Sequence, residues 1–319
     1  MNTGRRLSVL ATAVLLTGLG LHVAPMLAQT PAVAPAQKSA MQIQQEADAA
    51  APPPTATLAY GAGPQQRGQL RVPEGSGPFP VAIVIHGGCW MAELGGSGLP
   101  GLSEMLRKRG IATWDIDYRR VGHAGGGWPG SFEDVAAGID HLGTVAQDQP
   151  LDLERVVTIG HSAGALFALW APARAQLAAP WTPPAKSPRI KAAVAIDGPG
   201  ALAPMIGIDA QVCGQPVIVP LMGGTPAQVP DAYRAASPSD HLPLGVWQLF
   251  VTAELGPFMQ GYIEAAKAAG DPVEVFAPPA PNHFDIVTPG LPNGEAVADW
   301  IAAHAFGMRG APAAKPEAP

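Results

Sequence analysis

The chain has 319 residues, 47% of them hydrophobic and 14% charged, which is enough apolar material for one large domain with a substantial core. Its formal charge of −6, with the basic residues scattered, argues against a nucleic acid as partner. Glycine (38) and proline (36) are abundant, and much of the proline falls in two tails and in loops.

Arg5-Arg6 precedes an apolar stretch from Leu7 to Val23. A charged start and a short apolar run are the form of an export signal, expected over residues 1–28. The run is too short and weakly flanked for stable membrane insertion, with an uncleaved anchor as the alternative. The protein is therefore expected to be periplasmic or secreted. Residues 29–57 are rich in Ala, Pro and Gln and read as a disordered linker; residues 309–319 read as a disordered tail. The folded domain is expected over 58–308.

Within it, strand-like runs recur near 67–72, 81–85, 111–116, 155–159, 191–196, 247–252 and 273–276. Helical stretches fall between them, near 99–109, 131–147, 162–178, 258–269 and 293–306. Strand and helix in alternation predict an α/β fold, a mostly parallel twisted sheet flanked by helices. Two apolar, proline-rich inserts, about 171–189 and 198–245, are expected to form small lids at the carboxyl edge of the sheet.

Two motifs carry chemistry. The run Val81-Ala82-Ile83-Val84-Ile85 meets His86-Gly87-Gly88-Cys89-Trp90, and glycines let successive amides turn toward one point. The run Val156-Val157-Thr158-Ile159 meets Gly160-His161-Ser162-Ala163-Gly164, the strand–turn–helix context of a nucleophile elbow. Ser162 is the expected nucleophile, and the amides of Gly87, Gly88, Cys89 and Ala163 are the expected oxyanion donors. Each motif alone also reads as a glycine-rich turn; the pair, each after a strand and in this order, points to a serine hydrolase.

These residues resemble the α/β-hydrolase superfamily. They are most similar to the branch of carboxylesterases and kynurenine-formamidase-like enzymes whose oxyanion loop is His-Gly-Gly-x-Trp. Asp117-Tyr118-Arg119, Trp128-Pro129, Asp134 and Asn282-His283-Phe284-Asp285 extend the likeness over roughly residues 65–306. The resemblance implies a triad, with its base after the serine. Of His241, His283 and His304, only His283 stands between the last strand and the last helix, so it is the expected base. The family places its acid after the strand that here is 247–252, where this chain lacks Asp and offers Glu254. Glu254 is the expected acid on loop position, with Asp197 as the alternative.

His86 is expected to fasten its loop. Asp115 and Asp117 are expected to cap and to pair with Arg119 or Arg120 rather than to bind metal. Gly125-Gly126-Gly127 lacks the context of a nucleotide loop, and no cofactor is implied. Cys89 and Cys213 are expected as separate buried thiols, although export to an oxidising compartment would let them pair and tie cap to catalytic loop. The expected activity is hydrolysis of small to medium carboxylic esters, with a small-molecule ester as the partner. An arylformamidase and a non-catalytic binding protein on the same fold are the alternatives. Oligomeric state is left open.

Overall fold

The computed structural model describes residues 37–94 and 98–308. The expected export signal, the start of the expected linker and the expected tail lie outside them. Among the described residues, eight strands form one sheet: β1 (Ala56–Ala59), β2 (Arg67–Arg71), β3 (Phe79–Ile85), β4 (Ala112–Ile116), β5 (Leu151–His161), β6 (Ile190–Ile196), β7 (Trp247–Val251) and β8 (Val273–Phe276). Their spatial order is β1-β2-β4-β3-β5-β6-β7-β8. β2 runs antiparallel to β1 and β4, and β3 to β8 are parallel. The helices are α1 (Ala40–Ala49), α2 (Pro100–Lys108), α3 (Gly130–Val145), α4 (Ala163–Ala173), α5 (Asp209–Cys213), α6 (Ile218–Met222), α7 (Pro230–Ala236), α8 (Gly256–Ala268) and α9 (Pro292–Phe306).

The parallel strands are apolar throughout because both faces are covered. Alternate residues of β3 divide between two cores. Val81, Ile83 and Ile85 face a core with Phe132 and Ile139 of α3 and Phe167 and Trp170 of α4. Ala82 and Val84 face Leu102 and Leu106 of α2 and Val297 and Ile301 of α9. A third cluster seats Met259 and Tyr262 of α8 on Ala193, Ala195 and Phe250.

The expected strands and helices are present, with boundary shifts of a few residues. Two expectations change. Part of the expected linker is ordered: α1 carries a capping box between Ser39 and Gln42, and Asp48 Oδ1 accepts from the Gly101 amide at 2.8 Å. The chain then joins the sheet at Ala56 as β1, with Arg71 Nη1 donating to the Pro52 carbonyl at 2.6 Å. An Ala/Gln-rich segment reads as disordered from composition, but its cap and polar contacts to the body fix it.

The second change concerns the lids. The insert at 171–189 follows a helix that starts at the carboxyl edge and runs back, so it emerges on the amino side. From there it turns back along α3 and α4: Trp181 packs against Trp128, at the start of α3, and against Trp170, with ring centroids 4.9 and 5.6 Å apart, and Arg174 Nε donates to the Trp181 carbonyl at 3.0 Å. The insert at 198–245 follows β6 directly, and its first part lies at the carboxyl edge.

Candidate active site

Ser162 sits between β5 and α4 with φ 55° and ψ −124°, a backbone state an L-residue adopts only under constraint. Glycines permit the turn. A β-carbon on Gly160 would overlap the Gly164 carbonyl, and one on Gly164 would overlap the carbonyl of Ile85 in the neighbouring strand. The elbow therefore packs directly on the end of β3, from which the glycine loop departs. A β-carbon on Gly87 would stand 2.8 Å from Ser162 Cβ, so that loop passes against the serine. Gly88, Cys89 and Trp90 all have positive φ (94°, 51° and 56°), and the Met91 amide donates to the Gly88 carbonyl at 3.0 Å, so the loop turns tightly after β3.

The loop is fastened behind the site. His86 is buried, its Nδ1 lies 2.8 Å from the Gly87 carbonyl and its Nε2 3.0 Å from Asp117 Oδ1. Its ring stacks on Tyr118 at 4.5 Å, and Tyr118 Oη donates to the His86 carbonyl at 2.9 Å. Asp117 also pairs with Arg120 at 3.4 Å, and Arg119 is clamped by Asp134 at 2.7–2.8 Å. Asp115 accepts from the Leu99 amide at 2.7 Å and from Ser103 Oγ at 3.2 Å. His86 thus fastens its loop, Asp117 pairs with Arg120, and Asp115 caps the start of α2, as expected.

His283 lies on the loop after β8 and is nearly buried. Its Nδ1 is 2.7 Å from Asp197 Oδ2, so Nδ1–H donates to the carboxylate and Nε2 is left for proton transfer. The acid beside the histidine is therefore Asp197, and the expectation of Glu254 is corrected. Asp197 follows β6, one strand earlier than the family position, and has φ 43°. It is fully buried. Its Oδ1 accepts from the amides of Ala253 and Leu255 at 2.8 and 3.0 Å. The loop after β7 thus holds the acid with its backbone instead of supplying one, and Glu254 points out from it as an exposed residue. The sequence signal was present: an Asp directly after a buried strand, Ala193 to Ile196, at the same sheet edge.

His161, the residue before the nucleophile, is buried beside His283. Its Nε2 is 2.8 Å from the His283 carbonyl, and the two imidazoles lie 4.6 Å apart. Burial, and then the neighbouring His283, push the His161 pKa down to about 3, so the ring is neutral and Nε2–H donates. It ties the loop of His283 to the elbow. The other two candidate bases lie elsewhere: His241 faces the Arg234 carbonyl at 2.8 Å, and His304 stacks on Trp300 at 5.1 Å.

Beside Ser162 lies a cavity of about 30 Å³, walled by Cys89, Trp90, Ala163, Pro199, Met205, Asp209, Val212, Cys213, Val217, Ile218 and Leu255. Apart from Ser162 and Asp209, whose carboxylate is taken up by backbone amides, the lining is mostly apolar. The two cysteines form a disulfide across it, with Cα atoms 6.1 Å apart, which corrects the expectation of separate thiols. A separation of 124 residues hides this in the sequence. It becomes possible because the segment after β6 folds back over the loop after β3.

The fold is that of the α/β hydrolases, and solved structures show the same architecture. Esterase B of Lactobacillus rhamnosis, crystallised with a tributyrin phosphonate, superposes with a TM-score of 0.68 at 17% identity, covering 84% of this chain and 91% of the other. A truncated carbohydrate esterase from gut microbiota gives 0.63 at 17% identity over 78% and 95%. The hyperthermophilic esterase of Pyrobaculum calidifontis gives 0.62 at 17% identity over 85% and 92%. No curated protein sequence matches the chain significantly. The BD-FAE family model matches residues 70–245, more than half of the chain, and the chain belongs to that family.

Proposed function

We propose that this protein is an exported serine esterase that hydrolyses carboxylic esters with small acyl groups, acetyl foremost. The observation that carries this reading is the buried Asp197–His283 pair beside the Ser162 elbow, opening on a small apolar cavity. The cavity is narrow beside Ser162 and partly open, which suits a short acyl group. In the proposed reaction His283 Nε2 takes the proton from Ser162 Oγ as it attacks the ester carbonyl. The amides of Ala163 and of the Gly87–Cys89 loop hold the oxyanion. The protonated His283 then gives its proton to the leaving alcohol, and water repeats the cycle on the acyl-enzyme. Asp197 holds the imidazole tautomer and stabilises the imidazolium.

Support comes from the esterases among the similar structures, which include a carbohydrate esterase. Export is supported by the apolar run behind Arg5-Arg6 and by a disulfide, which persists in oxidising compartments. Among the described residues, no helix is long and apolar enough to cross a membrane. The test is hydrolysis of p-nitrophenyl acetate and butyrate by the mature protein and by Ser162→Ala. The expected result is activity on acetate that Ser162→Ala abolishes. Wild-type protein inert on both esters contradicts the reading, as does a fully active Ser162→Ala.

A further inference from the structure

We propose that the Cys89–Cys213 disulfide is the specificity-determining wall of the acyl cavity: it holds α5 against the oxyanion loop, so that an acetyl group fits and a butyryl group does not. The proposal rests on the reading of this cavity as the acyl site.

Four observations converge on the bond. Cys89 and Cys213 both line the cavity beside Ser162, so the bridge is part of its surface. Cys213 closes α5, which with α6 forms a small unit organised around buried Asp209. That carboxylate accepts from the amides of Gly207, Ala210, Val217 and Ile218 at 2.8–3.0 Å. The unit is thus internally ordered, and what sets the cavity width is where it is anchored. Its described polar ties to the body are the hydrogen bond from Gln215 to Glu93 and that from the Trp128 amide to the Leu221 carbonyl (2.6 Å). The first joins exposed side chains that water competes for. The second lies eight residues beyond Cys213. The disulfide is the one covalent tie, and it lands in the stretch Gly88–Trp90 whose positive φ values shape the oxyanion loop.

Asp209 at the start of α5 stays tied to the start of α6, where Val217, Ile218, Leu221 and Met222 are buried in the core, so without the bond it is the Cys213 end of α5 that draws back from the loop. The cavity then widens on the side of Val212 and Cys213, and longer acyl chains enter. A merely stabilising disulfide would lower the melting temperature and leave acyl preference alone.

The experiment measures kcat/KM for p-nitrophenyl acetate and butyrate on oxidised wild type, on wild type reduced with a phosphine until both thiols titrate, and on Cys213→Ala. Melting curves confirm that each form is folded, and reduction supplies the second route if Cys213→Ala does not fold. Ile218→Ala, which trims the same cavity with the bridge intact, reports whether this is the acyl site. The expected result is a butyrate-to-acetate ratio about tenfold higher in the reduced protein and in Cys213→Ala, about 1.4 kcal/mol. A raised ratio in Ile218→Ala with none in the two unbridged forms overturns the role of the disulfide. An unchanged ratio in Ile218→Ala overturns the acyl-site reading and the proposal with it.

Discussion

Replacing Asp197 with Asn should cost far more activity than its small change in size suggests. In the wild type, Asp197 Oδ1 accepts from the Ala253 and Leu255 amides while Oδ2 faces His283 Nδ1. Asparagine has one oxygen, and two backbone donors compete for it against one ring nitrogen. The side chain therefore turns its oxygen to the amides and its NH₂ to His283. Nδ1 must then accept, the imidazole proton moves to Nε2, and Nε2 can no longer take the proton of Ser162. A wrong tautomer in a serine triad lowers kcat by about 10⁴, or about 5 kcal/mol of transition-state stabilisation. Glu254→Gln changes an exposed side chain and should stay within about twofold of wild type. Steady-state kinetics on p-nitrophenyl acetate, with a melting curve for each variant, provide the comparison. Loss of activity in Glu254→Gln, or an Asp197→Asn variant within tenfold of wild type, would refute the assignment.

His161→Phe removes a buried donor to the His283 carbonyl and should lower kcat about 10- to 100-fold with little change in KM, from the ~1–3 kcal/mol of an unmet buried acceptor. An unaltered kcat would show that the loop of His283 needs no such tie. Asp115 is a buried carboxyl whose pKa burial raises from 3.8 to about 7, against the opposing hydrogen bonds from Leu99 and Ser103. Because the folded state holds the proton more tightly, its stability contribution is full below pH 3.8 and is lost as pH rises to about 7. Asp115→Asn should therefore gain stability relative to wild type above pH 7, on the order of 4 kcal/mol at most, and flatten this part of the pH profile. Denaturant melts at pH 5 and pH 8 test this, and a variant destabilised equally at both would count against it.

The parts of the site that were legible in the sequence are those that local geometry enforces. An elbow needs Gly160 and Gly164 because of what their β-carbons would strike, and the glycine loop after β3 needs positive φ; both leave their mark in neighbouring residues. His283 was legible because the order of elements confines the base to one loop. Asp197 is legible only as the alternative to Glu254, because its role depends on which strand end a carboxylate projects from and on amides of another loop 56 and 58 residues away. The disulfide and the docking of α1 are long-range contacts of the same kind.

The most direct test of the central claim is intact-mass and peptide mass spectrometry after treating the mature protein with diethyl p-nitrophenyl phosphate. The account predicts one diethylphosphoryl group per chain, mapped to Ser162, complete loss of ester hydrolysis in step with its formation, and no adduct in Ser162→Ala. An active enzyme that remains unmodified, or an adduct mapped to another residue, would contradict it.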